Sequence, residues 1–93
     1  MELPQEFYIN YITRREKDLA ALTAASQAKD TEVFKRVGHQ IKGNADSFGF
    51  SELTAIANEI EKISSSDFNN KNDSVVLEKF SGWIAEKKKI YFS

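Results

Sequence analysis

Between Pro4 and Ala28 the chain carries no glycine and no further proline, while alanine, leucine, lysine and glutamate abound. A stretch of that length without a breaker reads as one long helix, and Pro4 suits its first turn, where no N–H donor is needed. The apolar stripe of this first helix runs Tyr8, Ile12, Leu19 and Leu22, interrupted by Arg15, whose stem can lie along the same face. "AKDTE" ends it. Asp30 is placed to cap a second helix starting at Thr31, with Glu32 in its first turn, and that helix is predicted to continue to Phe48. Gly49 fits a left-handed C-terminal cap, and Ser51 can cap a third helix bearing Leu53, Ile56, Ala57, Ile60 and Ile63. "SSSDFNNKND" has loop composition; beyond it, Asp73 or a neighbour can cap a fourth helix with Val76, Phe80, Trp83, Ile84 and Ile90. No stretch alternates like a half-buried strand. Three short connections between amphipathic helices predict an all-α fold, an antiparallel up-down-up-down four-helix bundle forming a single domain over residues 1–93.

Composition narrows the function classes. The 93 residues suffice for one domain with its own core. A net charge of −1 leaves no electrostatic footprint for nucleic acid or for an anionic membrane. With no cysteine, disulfides, thiolate metal sites and cysteine nucleophiles are all excluded. No run of about 18 apolar residues could span a membrane. "MELPQEFYIN" has neither the basic n-region nor the apolar core of a signal peptide, so the expected location is cytoplasmic. No sustained heptad seam argues for a dimer, and a monomer is expected.

The segment "VGHQIKGNADSFGF", residues 37–50, holds the only histidine. On a helical wheel with Ile41 as zero, Phe34, Val37, Gly38, Ala45 and Phe48 fall within about 60° and define a core face. His39 lies at about 160° and Gly43 at about 200°, on the side turned away from that core, with Lys35, Arg36 and Lys42 around them. A glycine inside a helix costs about 1 kcal/mol relative to alanine, and Gly43 is neither a cap nor at the core. What it offers is bare backbone beside the imidazole, as a docking surface would need. Gly38, by contrast, borders the core and can let two helices approach. In the first helix, Tyr8 and Ile12 of "FYINYI" follow the core stripe, Phe7 lies more than about 90° off it and Tyr11 sits at its edge. Such a surplus of aromatic surface either marks an interface or packs against the chain ends.

These residues carry a resemblance. His39, Lys42, Gly43, Asn44, Ala45, Phe48, Gly49, Phe50 and Leu53 stand in the spacing of the histidine-containing phosphotransfer (HPt) domain of bacterial, fungal and plant phosphorelays, with nothing inserted or missing. Asn44 stands where serine is commoner, and Phe50 where smaller or aliphatic residues are frequent. The resemblance implies that His39 accepts a phosphoryl group from a phosphoaspartate on a receiver domain and passes it to another receiver. The partners it implies are receiver domains of response regulators or hybrid histidine kinases. It implies no cofactor on this chain, with Mg expected on the partner receiver domain. An exposed imidazole is largely neutral at cytosolic pH and keeps one ring nitrogen as a nucleophile; by family analogy that atom is Nε2. Lys42, one turn along, can reach phosphoryl oxygens, and Gly43 leaves clearance for the receiver's loops. If the turn between the second and third helices centres near Phe50, residues whose numbers sum to about 100 lie level, which pairs His39 with Glu61. Family members often carry glutamate or glutamine at this spacing, bonded to Nδ1. Glu61 is then either the group that fixes the tautomer or an ordinary surface glutamate.

Other classes find less support. The alternative is a helical protein–protein interaction module, a degenerate relative that binds without phosphorylation. A hydrolase using His39 as general base lacks accompanying groups, since no G-x-S-x-G or H-E-x-x-H motif is present, and zinc lacks ligands. With no P-loop and no room for a nucleotide-binding domain, ATP-dependent kinase activity is not expected, and the resemblance implies a phosphoryl carrier that needs a donor.

Overall fold

The computed structural model describes residues 3–92; Met1, Glu2 and Ser93, the outer ends of the predicted domain, lie outside the described residues. It is all-helical, with five α-helices among those residues: α1 (Gln5–Ala28), α2 (Thr31–Ala45), α3 (Ser51–Glu61), α4 (Ser65–Asn69) and α5 (Asn72–Tyr91). None is long and apolar enough to cross a membrane.

The chain's punctuation explains these boundaries. Pro4 precedes α1, and the Phe7 N–H donates to its carbonyl at 3.0 Å. α1 closes with Lys29 in the left-handed region (φ 56°), where the Lys29 and Asp30 amides return to the Ser26 and Ala25 carbonyls. Asp30 then caps α2 by accepting the Glu32 N–H at 3.0 Å, as its position in the sequence predicts. The α-helix ends at Ala45 rather than Phe48, because Asp46–Phe48 tighten into a 3₁₀ turn. Gly49 (φ 77°) follows, and the Gly49 and Phe50 amides donate to the carbonyls of Asp46 and Ala45. This is a Schellman closure, and it seats Phe50 in the core. Phe50, not Ser51, therefore holds the N-cap position of α3, and no side chain caps that helix.

The segment read as loop contains α4, started by a reciprocal cap in which the Ser64 N–H donates to Asp67 Oδ2 at 2.7 Å. Asp73 caps nothing. It lies inside the first turn of α5, buried, and accepts a short hydrogen bond from the Ser26 hydroxyl at the end of α1.

The α-helices pair through their apolar faces. α2 lies along α3, α1 along α5, and α3 and α1 also touch α5 and α2 respectively. Phe34, Phe80, Ile12, Leu22, Ile41, Leu53 and Ile60 are fully buried between them. Each such side chain contributes about 1.5–3 kcal/mol relative to an exposed one. Ile63 is also buried, two residues beyond the end of α3. Arg15 is buried with the stripe it interrupts, Phe48 is half-buried, and Ile90, expected on the core face of the last helix, is exposed. Tyr91 takes the inward place there, stacked on Tyr8 at 4.7 Å between ring centroids. Tyr11, read as an edge residue, is buried among Phe48 and Phe50, which leaves Phe7 as the exposed ring of that cluster.

Gly38 sets the spacing of α2 and α3. A Cβ built there would lie 2.5 Å from the Glu61 nitrogen, 2.8 Å from the Glu61 Cα and 2.9 Å from the Ala57 carbonyl oxygen. All three are backbone atoms and cannot swing aside. Gly38→Ala should therefore destabilise the fold by about 1–3 kcal/mol in urea denaturation, despite alanine's better helix propensity. A variant as stable as the wild type would show that the two helices are not in contact there.

Candidate functional site

The close approach at Gly38 brings the next residue, His39, beside the last residue of α3. His39 points away from the core, with 76% of its side-chain surface exposed. Its Nδ1 lies 3.1 Å from Glu61 Oε2. Glu61 is tucked against the helices, with 21% of its side chain exposed, and its other oxygen accepts from the Lys42 ammonium at 2.5 Å. Lys42 foremost, and His39 to a smaller degree, hold the Glu61 carboxyl below the usual carboxylate range against the opposing effect of desolvation. The structure thus brings three of the sequence-predicted residues together in one chain of contacts, His39–Glu61–Lys42.

Gly43, the fourth, stands one turn beyond His39 with open space around it. A Cβ there would meet nothing within 4 Å.

The Lys42–Glu61 contact was not legible from the levelling of α2 against α3, which places Asn58 rather than Glu61 opposite Lys42. A four-carbon stem reaches back one turn, and no spacing rule for Cα positions registers that. On the other flank of α2, Asn44 is tied to α1. Its Oδ1 accepts from the Tyr11 hydroxyl at 2.5 Å and from Arg15 Nη1 at 3.4 Å. Arg15 in turn pairs with Asp18 at 2.8 Å and lies over the Tyr11 ring, 4.4 Å from its centroid. Burial pushes both the Asp18 carboxyl and the Tyr11 hydroxyl up, and Arg15 opposes each shift. Tyr11, Arg15 and Asn44, with Phe7, Asn10, Arg14 and Phe48, line an open hollow of about 390 Å³. The sequence signal for the network was the Tyr11/Arg15 pair at i and i+4 on one helix face.

Chemically, the arrangement offers one nucleophile. When Nδ1–H donates to Glu61, Nε2 keeps its lone pair, and the ring makes no other hydrogen bond among the described residues. No three metal-ligating side chains converge among those residues.

A family model described as Hpt domain matches residues 6–80, well over half of the chain. The chain belongs to this family. The match spans α1 to α4 and the first half of α5, so it includes every residue of the site. No curated protein and no solved structure matches the chain.

In this Hpt domain Gly43 brings no packing advantage. Its φ is not in the left-handed region, and the space beside it is empty. Gly43→Ala should accordingly raise stability by about 0.5–1 kcal/mol, read as a higher thermal midpoint. An unchanged or lower midpoint would mean that the bare backbone is needed by the fold itself.

Proposed function

We propose that this Hpt domain is a phosphoryl carrier of a phosphorelay, in which His39 takes a phosphoryl group from a receiver-domain phosphoaspartate and passes it to a second receiver. The observation that carries this reading is the exposed imidazole whose Nδ1 faces Glu61 while open backbone at Gly43 adjoins it. In the forward step the Nε2 lone pair attacks phosphorus and an N–P bond forms. The P–O bond to the aspartate breaks, and that carboxylate leaves with the electron pair. Nδ1 keeps its proton throughout, held on Glu61. The reverse step, on a different receiver, regenerates the free ring. Because phosphoryl transfer runs through a loose, in-line transition state, alignment and charge matter more than further covalent machinery.

The roles follow from position. Glu61 orients the ring, Lys42 brings positive charge within one turn of the acceptor, and Gly43 gives the receiver's loops clearance. The magnesium ion such a transfer uses belongs to the receiver. The domain has no kinase activity of its own and acts as a cytoplasmic monomer. Its four long helices form the up-down-up-down bundle, with α4 as an insertion in the last connection.

Incubation with phosphorylated receiver domains tests this. Wild type should acquire acid-labile label and His39→Gln none, while Gly43→Arg should fold but label far more slowly because its side chain obstructs docking. Equal labelling of wild type and His39→Gln, or no label on either from several receivers, would instead favour an interaction module that binds without phosphorylation.

A further inference from the structure

Glu61 serves two partners at once. One oxygen faces the imidazole and the other takes the Lys42 ammonium, with the ammonium contact the shorter of the two. A carboxylate behind the ring has opposed effects on an anionic donor. It fixes the imidazole, yet its negative charge resists the arrival of a phosphoryl group whose oxygens are themselves negative. Pairing with an ammonium leaves the carboxylate its acceptor lone pairs for Nδ1–H while opposing its field at Nε2.

We infer that Lys42 serves the transfer through Glu61, by opposing the charge of the carboxylate that orients His39, and not by gripping the phosphoryl oxygens. The inference rests on the proposed role of His39 as phosphoacceptor. Its geometric support is the position of the ammonium. The Lys42 side chain is only 38% exposed and is drawn toward α3, whereas the imidazole projects into solvent at 76%. Lys35 and Arg36, a turn before His39, are both exposed and form no ion pair among the described residues, so other cations are available to meet an incoming dianion. Lys42 is a positioning residue in this account.

A double-mutant cycle distinguishes the two routes. The probe is phosphoramidate, a small donor without a docking surface. Nε2 attacks its phosphorus, the donor's P–N bond breaks, and ammonia leaves after taking a proton from water. Glu61→Gln keeps a carbonyl oxygen for Nδ1–H but carries no charge. Lys42→Ala should slow labelling of His39 about fivefold when Glu61 is present, and no more than about twofold in the Glu61→Gln background. An equal cost in both backgrounds would overturn the inference, because the lysine would then act on the phosphoryl group itself. A carbon-13 titration of the Glu61 carboxyl gives a readout independent of transfer. Its midpoint should rise toward the ordinary carboxylate value in Lys42→Ala, and an unmoved midpoint would also overturn the inference. Lys42→Met, which keeps nearly the length of the stem without its charge, replaces Lys42→Ala in both experiments if the shorter side chain disturbs the helix by circular dichroism. Should wild type take no label from phosphoramidate or from any receiver, the phosphoacceptor reading itself falls. That failure is distinct from a cycle that closes without coupling.

Discussion

The site depends on how near two helices come at a single glycine. At Gly38 the backbone of Glu61 and Ala57 occupies the volume that any side chain would need. Because Glu61 is the last residue of α3, its backbone abuts Gly38 while its carboxylate extends over the neighbouring residue of α2, which is His39. A wider gap would carry the Glu61 backbone away from α2 and work against the 3.1 Å contact between its carboxylate and the imidazole. The imidazole is held by secondary structure on both sides, on helices rather than on a loop, and such placement gives a reacting group a defined orientation.

The two glycines of α2 act in opposite directions. Gly38 is required by the fold because backbone fills the space beside it, whereas Gly43 has nothing beside it and the fold does not require it. Between them the helix tolerates two positions of weak propensity in fifteen residues. The loss is offset elsewhere in α2 by the Asp30 cap and by Phe34, Val37, Ile41 and Ala45 in the core. Asn44 adds to the joint with α1. Its carbonyl oxygen is engaged by Tyr11 and Arg15, so the residue that departs from the commoner serine is directed inward, toward a neighbouring helix.

Where the sequence was legible, one helical period or one turn governed the outcome. The outward direction of His39 follows from the stripe Phe34, Val37, Ile41, and its level with Glu61 follows from a turn centred at Phe50. The choice of face for Glu61 did not follow, because that depended on which side α3 packs. The misplaced elements have local causes. α4 hid in a segment of loop composition although Ser64 and Asp67 stand in the spacing of a capping pair, and Phe68 anchors it edge-on against Phe34 at 5.7 Å. Asp73 or a neighbour is the cap that local pattern suggests, because a polar residue at a helix start usually is one. The actual partner of Asp73, Ser26, is 47 positions away and invisible to local pattern. The helical stripe alone puts Tyr11 at its edge, since its burial is created by Phe48 and Phe50, which arrive from the turn after α2.

On the proposed mechanism Glu61 holds the proton on Nδ1 and leaves Nε2 as the nucleophile. The chain has one histidine, so long-range proton–nitrogen correlation of nitrogen-15-labelled protein reports its tautomer without ambiguity. At a pH where the ring is neutral, the Nδ1–H form is expected, with the nitrogen shift of an unprotonated Nε2. A ring found chiefly in the Nε2–H form would contradict that mechanism.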